Sequence, residues 1–301
     1  MDAIAMRPYV CFAVREDLQP RDGKYPEIMD DLEILTGKLE ETWAMFERLR
    51  RLWPKQESVR ECVVPIGRRV YVIGDIHGCR DELERLHDRL AADWELASAK
   101  GCTIVYLGDY IDRGPDSRGV IGTLLGPSPI AGAERIFITG NHEQAMLDFL
   151  QAPESNPHWL DFGGMETLAS YGVRRSAVGS RGRQELAERM AEAMPESHRV
   201  FFESLAPYHR IGDYFFVHAG VRPGVSLDRQ VPDDCCWIRG AFLESRQWHG
   251  AMIVHGHTVT DQPDERANRI GIDTGAYASG VLTALRLEGN QRSFFQTGLS
   301  R

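Results

Sequence analysis

Between residues 68 and 150 the hydrophobic and polar positions form a pattern that occurs three times. Each copy has a short run of apolar residues, a turn that contains glycine, and then apolar residues at helical spacing. The three copies begin with RRVYVIGD, CTIVYLGDYIDRG and ERIFITGNHE. A strand, a turn and a helix repeated in this order are typical of βαβ units, so the sequence predicts a parallel sheet covered by helices.

The hydrophobic pattern of the other segments is different. Residues 26–53 carry apolar side chains at steps of three and four, which predicts one long amphipathic helix ended by Pro54. Residues 151–210 predict a mostly helical cap insertion, and a β-rich half with four further strands follows it. The predicted boundaries are an N-terminal extension at 1–67, a main domain at 68–289 and a C-terminal tail at 290–301.

Composition and charge narrow the class of protein. With 301 residues, 43% hydrophobic and 26% charged, the chain has the make-up of a soluble globular enzyme. It has no apolar window long enough for a membrane span and no secretory leader pattern. Six cysteines without CxxC spacing argue against structural zinc and disulfides, and predict a cytoplasmic location. A net charge of −9 without a basic stripe argues against duplex nucleic acid as a partner, and leaves a small anionic substrate open.

Polar residues that bind metals in other proteins follow the predicted strands. They comprise two carboxylates, three imidazoles and one amide: Asp75, His77, Asp109, Asn141, His218 and His257. Because parallel strands end at one edge of a sheet, we expect Asp75, Asp109 and Asn141 to converge there. Oxygen and nitrogen ligands without a thiolate suit Mn²⁺, Fe²⁺ or Zn²⁺, and six are enough for two ions. Two ions about 3.5–4 Å apart acidify a bridging water and bind a transferring phosphoryl group, and Asp109 is the natural bridge between them.

Each of these positions, taken singly, has an ordinary structural explanation. A Gly-Asp pair after a strand is more often a turn than a ligand, and Asn141 would serve as a helix cap. A histidine at the end of a strand is more often structural. Five such motifs in chain order, each after a short apolar strand, favour the metal site.

The five motifs together resemble a known signature. GDIHG (74–78), GDYIDRG (108–114), GNHE (140–143), HAG (218–220) and HGHT (255–258) resemble the phosphoprotein-phosphatase branch of the calcineurin-like metallophosphoesterases, and its bacterial members most closely. The resemblance covers most of residues 68–289. It implies a four-layer α/β/β/α sandwich of two mixed sheets, with the metals at one edge and the helical cap beside them.

The resemblance also implies which residues bind the metals and the substrate. Asp75 and His77 would bind the first metal, Asp109 would bridge, and the second metal would be completed by Asn141, His218 and His257. Arg113 and Arg239 would bind the substrate phosphate, because planar guanidinium groups match phosphate oxygens. For Arg239 the alternative is a surface arginine beside a core Trp237. Asn141 would also contact substrate, and Tyr277 is either a substrate contact or a structural aromatic.

A general acid completes the implied mechanism. His142 would protonate the leaving-group oxygen, and Asp112 would hydrogen-bond the imidazole and favour its charged form. The nucleophile would be a metal-bridging hydroxide that displaces the leaving group directly, without a phosphoenzyme.

Three functional hypotheses remain at this stage. The first is a dimetal-dependent serine/threonine protein phosphatase, most simply with Mn²⁺, and it is favoured by Asp112 and Glu143. The second is a symmetrical diadenosine-tetraphosphate hydrolase, whose members typically depart from the pattern at both positions. The third is a non-catalytic scaffold, which would be expected to have lost ligands, whereas this chain keeps all six. The expected partner is a phosphorylated protein or a small phosphoester; helix 26–53 is a candidate interaction surface, and the oligomeric state is left open.

Overall fold

The computed structural model describes residues 61–174 and 180–298. The amphipathic helix predicted over residues 26–53 lies outside this part of the chain. In the described part, two sheets of five strands each form the centre of the fold. None of the helices described there has both the length and the apolar composition that a membrane span requires.

The first three strands alternate with helices as far as the cap, and the other seven strands follow the cap. In chain order the strands are β1 (Arg68–Ile73), β2 (Gly101–Tyr106), β3 (Glu134–Phe137), β4 (Tyr208–Ile211), β5 (Tyr214–Val217), β6 (Met252–His255), β7 (Asp264–Glu265), β8 (Arg269–Gly271), β9 (Thr283–Glu288) and β10 (Gln291–Gln296). The helices are α1 (Arg80–Glu95), α2 (Ser117–Leu125), α3 (Asn141–Gln151), α4 (Gly164–Ser170), α5 (Ser180–Ala193), α6 (Glu196–Glu203), α7 (Pro232–Trp237), α8 (Gly240–Leu243) and α9 (Ala276–Ser279). Short 3-10 helices occupy Pro157–Phe162 and Leu227–Arg229.

The first sheet has the order β10-β9-β1-β2-β3, and the predicted βαβ strands β1, β2 and β3 are parallel within it. Strand β9 pairs antiparallel with β1, and β10 pairs antiparallel with β9. The C-terminal tail predicted over 290–301 is therefore corrected: Gln291–Gln296 is a strand of the main domain. Gly289 and Asn290, between β9 and β10, make the hairpin that returns the chain to this sheet.

The second sheet has the order β4-β5-β6-β8-β7. Its middle strands β5, β6 and β8 are parallel, and the edge strands β4 and β7 are antiparallel to their neighbours. Strand β5 ends just before the HAG motif and β6 ends at His255, the first residue of HGHT, so both sheets place motif residues at strand ends.

Alternating side chains of each strand explain why the sheets form layers. In β1, Val70 and Val72 pack between the two sheets against residues such as Val254, whereas Tyr71 packs on the other face, in the cluster that includes helix residue Leu83. In the second sheet, Val254 faces the first sheet. Its neighbours Phe215 and Ile253 face outward in a third cluster with Phe242 of α8. The layers are thus α/β/β/α, which confirms the predicted fold class.

Candidate functional site

The loops after β1 and β2 are held together by backbone hydrogen bonds. The amides of Ile76 and His77 donate to the Asp109 carbonyl at 3.1 and 2.8 Å. In the described chain, the non-glycine residues with positive φ all lie at this edge of the sheets: His77, Asp109, Asp112, Arg113 and His257. Such backbone conformations are strained and persist only where the surroundings enforce them, and they cluster at functional sites.

Glu143 anchors the loop that carries Asp109. Its carboxylate accepts hydrogen bonds from the backbone amides of Asp109 (2.9 Å), Tyr110 (2.8 Å), Ile111 (3.3 Å) and Gly140 (3.0 Å). A side chain at Gly140 would put its Cβ 2.2 Å from Asp109 Oδ1, so glycine is required for this close approach. The last residue of GNHE therefore positions the backbone of the preceding motif.

Asp109 lies at the centre of a group of histidines. Its Oδ2 is 3.4 Å from His77 Nε2, and its Oδ1 is 3.4 Å from His218 Nε2. The Nδ1 atoms of these two rings donate to the carbonyls of Ile111 (2.8 Å) and Leu107 (2.9 Å). In the neutral tautomer that these bonds select, each Nε2 directs a lone pair toward Asp109.

A second group of acceptor atoms surrounds the other oxygen of Asp109. His218 Nε2 is 2.9 Å from Asn141 Oδ1 and 3.2 Å from His257 Nδ1. Burial lowers the pKa of His77 to about 3 and of His257 to about 2, and burial also lowers the pKa of His218. These rings are therefore neutral near pH 7. Acceptor atoms of His218, Asn141 and Asp109 that converge in this way fit a bound cation, so the residues present fit a dimetal centre.

Asp75 is buried near the Asp109-centred histidines but belongs to neither set of closely spaced ligand atoms. Its Oδ2 accepts a hydrogen bond from the His257 amide at 2.9 Å, and its Oδ1 is buried with no hydrogen-bond partner in the described chain. Burial and then the charges of Asp273 and Asp109 raise its pKa. The two sets of potential ligand atoms that lie within 4.8 Å of one another are His77–Asp109–His142 and Asp109–His218–His257. The first set contains His142 in the place where the sequence predicts Asp75.

His142 differs from the other histidines of the site in its partners and its charge. Its Nδ1 donates to Asp112 Oδ2 at 2.7 Å, and its Nε2 is 3.8 Å from Asp109 Oδ2. Burial opposes the charged ring, but the carboxylates of Asp109 and Asp112 outweigh it and raise the pKa of His142. Histidines of one site whose pKa values are shifted in opposite directions suit different chemical roles. The raised pKa of His142 suits proton transfer, whereas the lowered pKa values of the other three rings suit metal binding.

The predicted phosphate-binding residues lie around these groups. Arg113 donates to His77 Nε2 at 2.9 Å, and its guanidinium lies 4.8 Å from the centre of the Tyr277 ring. Tyr277 is 41% exposed and packs edge-on against His77 at 5.3 Å between ring centres. Arg239 is exposed, and its positive charge contributes to the lowered pKa of His257. All three therefore lie on the open side of the site.

Comparison with known proteins now identifies the family. The model of the family described as calcineurin-like phosphoesterase matches residues 68–269. The chain belongs to the calcineurin-like phosphoesterases. Together with the Asp109-centred histidines, this membership makes it a dimetal metallophosphoesterase, and the predicted family is confirmed.

The relatives of this phosphoesterase carry names with different substrates. It is 27% identical to the asymmetrical bis(5'-nucleosyl)-tetraphosphatase PrpE of Anoxybacillus flavithermus, over 71% of this chain and 89% of the relative. It is 29% identical to serine/threonine-protein phosphatase 2 of Salmonella typhimurium, over 73% of this chain and 94% of the relative. A solved structure of a putative diadenosine tetraphosphatase shares the fold, with a TM-score of 0.52, 22% identity, and coverage of 80% of this chain and 100% of that one.

Sequence reasoning missed several residues that shape the site of the phosphoesterase. Asp273 is buried, accepts from the Gly275 amide at 2.9 Å through Oδ1, and raises the pKa of Asp75 by its charge. The available signal was RIGIDTGA, another apolar run that ends in Asp and Gly. Trp237, taken as a core residue in one explanation of Arg239, is 39% exposed. Trp159 and Thr167 contact Asp112, whereas the sequence indicated only that they belong to the cap insertion.

Proposed function

We propose that this phosphoesterase hydrolyses phosphomonoesters of serine and threonine in proteins. The observation that carries the proposal is the buried pair of His142 and Asp112 beside Asp109. A serine or threonine alkoxide is strongly basic and needs a proton as it leaves. A phosphate leaving group, as in a dinucleoside polyphosphate, is a weak base and departs without an acid. A held proton at this position is therefore most useful for an alcohol leaving group.

The proposed metal ligands follow from the sequence motifs and the acceptor atoms described above. Asp75 and His77 would hold one ion and Asn141, His218 and His257 the other, with Asp109 between them. Bound there, divalent ions acidify water and neutralise phosphate oxygens. We propose Mn²⁺, because the set has carboxylate, amide and imidazole donors without thiolate; Fe²⁺ and Zn²⁺ also suit it.

The remaining residues bind the substrate and move the proton. Arg113 and Arg239 bind the phosphate oxygens from the open side, since both are permanently charged and reach this edge. Tyr277 supports the Arg113 guanidinium by stacking at 4.8 Å. His142 holds a proton at Nε2 and transfers it to the leaving oxygen, while Asp112 accepts the Nδ1 hydrogen bond and stabilises the charged ring.

A second candidate function is hydrolysis of a dinucleoside polyphosphate. Phe162 and Trp237 are 40% and 39% exposed, and their ring centres lie 6.3 Å apart. Phe162 is 6.2 Å from the His142 ring, so this aromatic pair lies where a leaving group would extend. Aromatic rings of this kind stack on nucleobases. The names of the PrpE relatives point to the same substrate class, with asymmetrical instead of symmetrical cleavage.

The two candidates are separated by a rate comparison with Mn²⁺ and an EDTA control. We expect kcat/KM to be higher for a phosphoserine peptide than for a phosphotyrosine peptide or diadenosine tetraphosphate. A higher value for the dinucleotide, lowered by Trp237→Leu, would support the second candidate and overturn the first. Absence of metal-dependent hydrolysis of any substrate, p-nitrophenyl phosphate included, would support the scaffold hypothesis.

The His142 variant tests the acid. His142→Asn should lower kcat on the phosphoserine peptide about 100-fold or more, and much less on p-nitrophenyl phosphate, whose leaving group needs little protonation. Unchanged activity of this variant on the phosphoserine peptide would show that His142 is not the acid.

A further inference from the structure

The Asp112 carboxylate receives hydrogen bonds from two side chains of the cap in addition to His142. Trp159 Nε1 donates to Oδ2 at 2.9 Å, the same oxygen that accepts from His142. Thr167 Oγ1 donates to Oδ1 at 2.6 Å. Both oxygens of Asp112 are therefore occupied by donors that come from about 50 residues further along the chain.

The backbone of Asp112 is held by the same part of the cap. Its amide donates to Thr167 Oγ1 at 2.9 Å and to Ser117 Oγ at 3.1 Å, and these two hydroxyls lie 3.0 Å apart. Asp112 has a φ of 74°, a strained conformation for a residue with a side chain. Ser117 and Thr167 are fully buried, so water does not compete for these hydrogen bonds.

The cap also fixes the next residue of the loop. The Arg113 amide donates to the Gly163 carbonyl at 3.3 Å. Gly163 has a φ of 107°, and a Cβ there would lie 2.6 Å from the Arg113 nitrogen. Trp159 itself is buried and packs on Phe149 with 5.1 Å between ring centres. The cap thus packs closely against the loop that carries Asp112 and Arg113.

We propose that Trp159 and Thr167 are positioning residues that orient Asp112 and, through it, the general acid His142. The proposal rests on the proposed role of His142 as acid. A carboxylate with one donor on Oδ1 and two on Oδ2 is held in a single orientation, in which Oδ2 meets His142 Nδ1. Without the cap donors the carboxylate rotates, and the imidazole loses the geometry that aims Nε2 toward Asp109 and the reacting phosphate.

The test uses variants that each remove one cap donor to Asp112. Trp159→Phe keeps an aromatic ring and removes the N–H. Thr167→Val keeps the branched shape and removes the hydroxyl, together with the contacts of that hydroxyl to the Asp112 amide and Ser117. We expect each variant to lower kcat on a phosphoserine peptide by about 10–100-fold, which is the usual effect of removing a hydrogen-bond partner that orients an active-site group. KM should change little, and the rate on p-nitrophenyl phosphate should fall less than about threefold because its leaving group needs little acid.

Matched controls separate positioning from general damage to the cap. Thr167→Ser retains the donor and should recover most of the rate. Ser170→Ala removes another hydroxyl of helix α4. This hydroxyl contacts the Thr167 carbonyl and the Arg118 amide and does not contact Asp112. The variant should leave the ratio of the rates on phosphoserine peptide and p-nitrophenyl phosphate unchanged. In a His142→Asn background, Trp159→Phe should cause no further loss.

A measurement that does not depend on activity distinguishes failure of this proposal from failure of the proposed function. The proton on His142 Nδ1 should give a low-field NMR signal, identified by its absence in His142→Asn. Thr167→Val and Trp159→Phe should weaken or shift that signal, even if the wild-type enzyme does not hydrolyse the phosphoserine peptide. An unaltered signal, or equal losses on both substrates, would overturn the positioning role.

Discussion

Individual side chains in this phosphoesterase have charges that are set by their neighbours. Burial makes His77, His218 and His257 neutral, whereas Asp109 and Asp112 reverse this effect at His142. The pKa of Asp109 lies below its usual value although burial opposes this, because the carboxylate lies against the rings of His218, His142 and His77. Four imidazoles in one small volume therefore divide into three neutral rings that suit metals and one ring that suits proton transfer.

Glu143 gives the first prediction at the residue scale. Glu143→Asp shortens the side chain by one methylene, so its carboxylate no longer reaches all four backbone amides. Buried amides without acceptors cost about 1–3 kcal/mol, and we expect a loss of this size in the free energy of unfolding, measured in urea with EDTA present. Activity should fall about tenfold or more because the Asp109 backbone shifts.

A surface substitution of the same kind is the control for Glu143. Glu154→Asp shortens an exposed side chain that pairs only with Arg183 in the described chain at 2.7 Å, and such pairs contribute little. We expect its unfolding curve to match that of the wild type. Equal curves for Glu143→Asp and Glu154→Asp would show that Glu143 does not hold the loop.

Helix α1 shows how an element is fixed to a sheet by one polar contact within an apolar face. Leu83, Leu86, His87 and Leu90 are its buried residues. The Tyr106 hydroxyl of β2 and His87 Nε2 share a hydrogen bond at 3.0 Å. Burial lowers the pKa of His87 to about 4, and Arg135 adds to this effect while Asp88 and Glu84 oppose it. The helix therefore packs with a neutral histidine.

The second prediction follows from this pKa. In the unfolded chain His87 binds a proton below about pH 6.5, but in the folded protein only near pH 4. The contribution of His87 to the free energy of unfolding is thus fully present above the pKa of the unfolded chain, and it is lost as the pH falls from about 6.5 toward 4. Between pH 7 and pH 5 this linkage corresponds to about 2 kcal/mol from His87 alone.

His87→Gln removes the titrating group and is the measurement of this effect. We expect the free energy of unfolding of the wild type to fall about 2 kcal/mol more than that of the variant between pH 7 and pH 5, with EDTA present throughout. The other buried histidines contribute equally to both proteins, so the difference isolates His87. Parallel stability curves would contradict the prediction.

The pairing of whole elements was predictable to different degrees. The parallel order of β1, β2 and β3 follows from strand–turn–helix repeats that are visible locally. The position of β9 and β10 does not, because GVLTALRLEG predicts a strand without indicating which sheet it joins, and the sequence predicts a tail from residue 290 where β10 lies. Burial between Val70, Val72 and the β9 residues Leu285 and Leu287 makes that choice.

The molecule as a whole places several buried carboxylates and histidines at one edge of two sheets. The charges of Asp273 and Asp109 add to burial in raising the pKa of Asp75, and the charge of Asp109 likewise adds to burial at Asp273. A ring nitrogen of His218 lies 3.2 Å from a ring nitrogen of His257. Such a group is destabilising without a cation and stabilising with one. The overall stability is therefore expected to depend on metal.

The third prediction is a metal-dependent melting temperature. At a Mn²⁺ concentration about 1,000-fold above its dissociation constant, one site adds about 4 kcal/mol. For a domain of this size about 1 kcal/mol corresponds to 2–4 °C, so Mn²⁺ should raise the melting temperature by about 10 °C over EDTA. Calorimetry or fluorescence melting measures this difference.

Asp109→Asn is the variant that ties the shift to the site. The amide keeps the shape of the side chain, removes its charge and should reduce the Mn²⁺-dependent rise to less than half, with turnover of p-nitrophenyl phosphate abolished. A variant that keeps the full rise would place the metal away from Asp109. Glu154→Asp again serves as the control and should keep both the rise and the turnover.

The sequence by itself determined the three βαβ strands, the turns that follow them and the polar residues at their ends. Hydrophobic periodicity and glycine positions are local properties, and motifs such as GDIHG and GNHE put Asp75, His77 and Asn141 at predictable places on a sheet. The net charge of −9 likewise argues against a duplex nucleic-acid partner, and this stays a prediction. These features belong to short stretches of chain, so a linear pattern is enough to reveal them.

Only the tertiary structure decided which distant side chains complete the site. Trp159 and Thr167 reach Asp112, and Asp273 reaches Asp75, across separations of about 50 and 200 residues, for which no periodic pattern exists. The division of the histidines into neutral and charged rings also depends on burial and on neighbours from other strands. Desolvation and through-space charge act over a few ångströms irrespective of chain order, which is why the sequence predicts candidate ligands whereas their charge states depend on the fold.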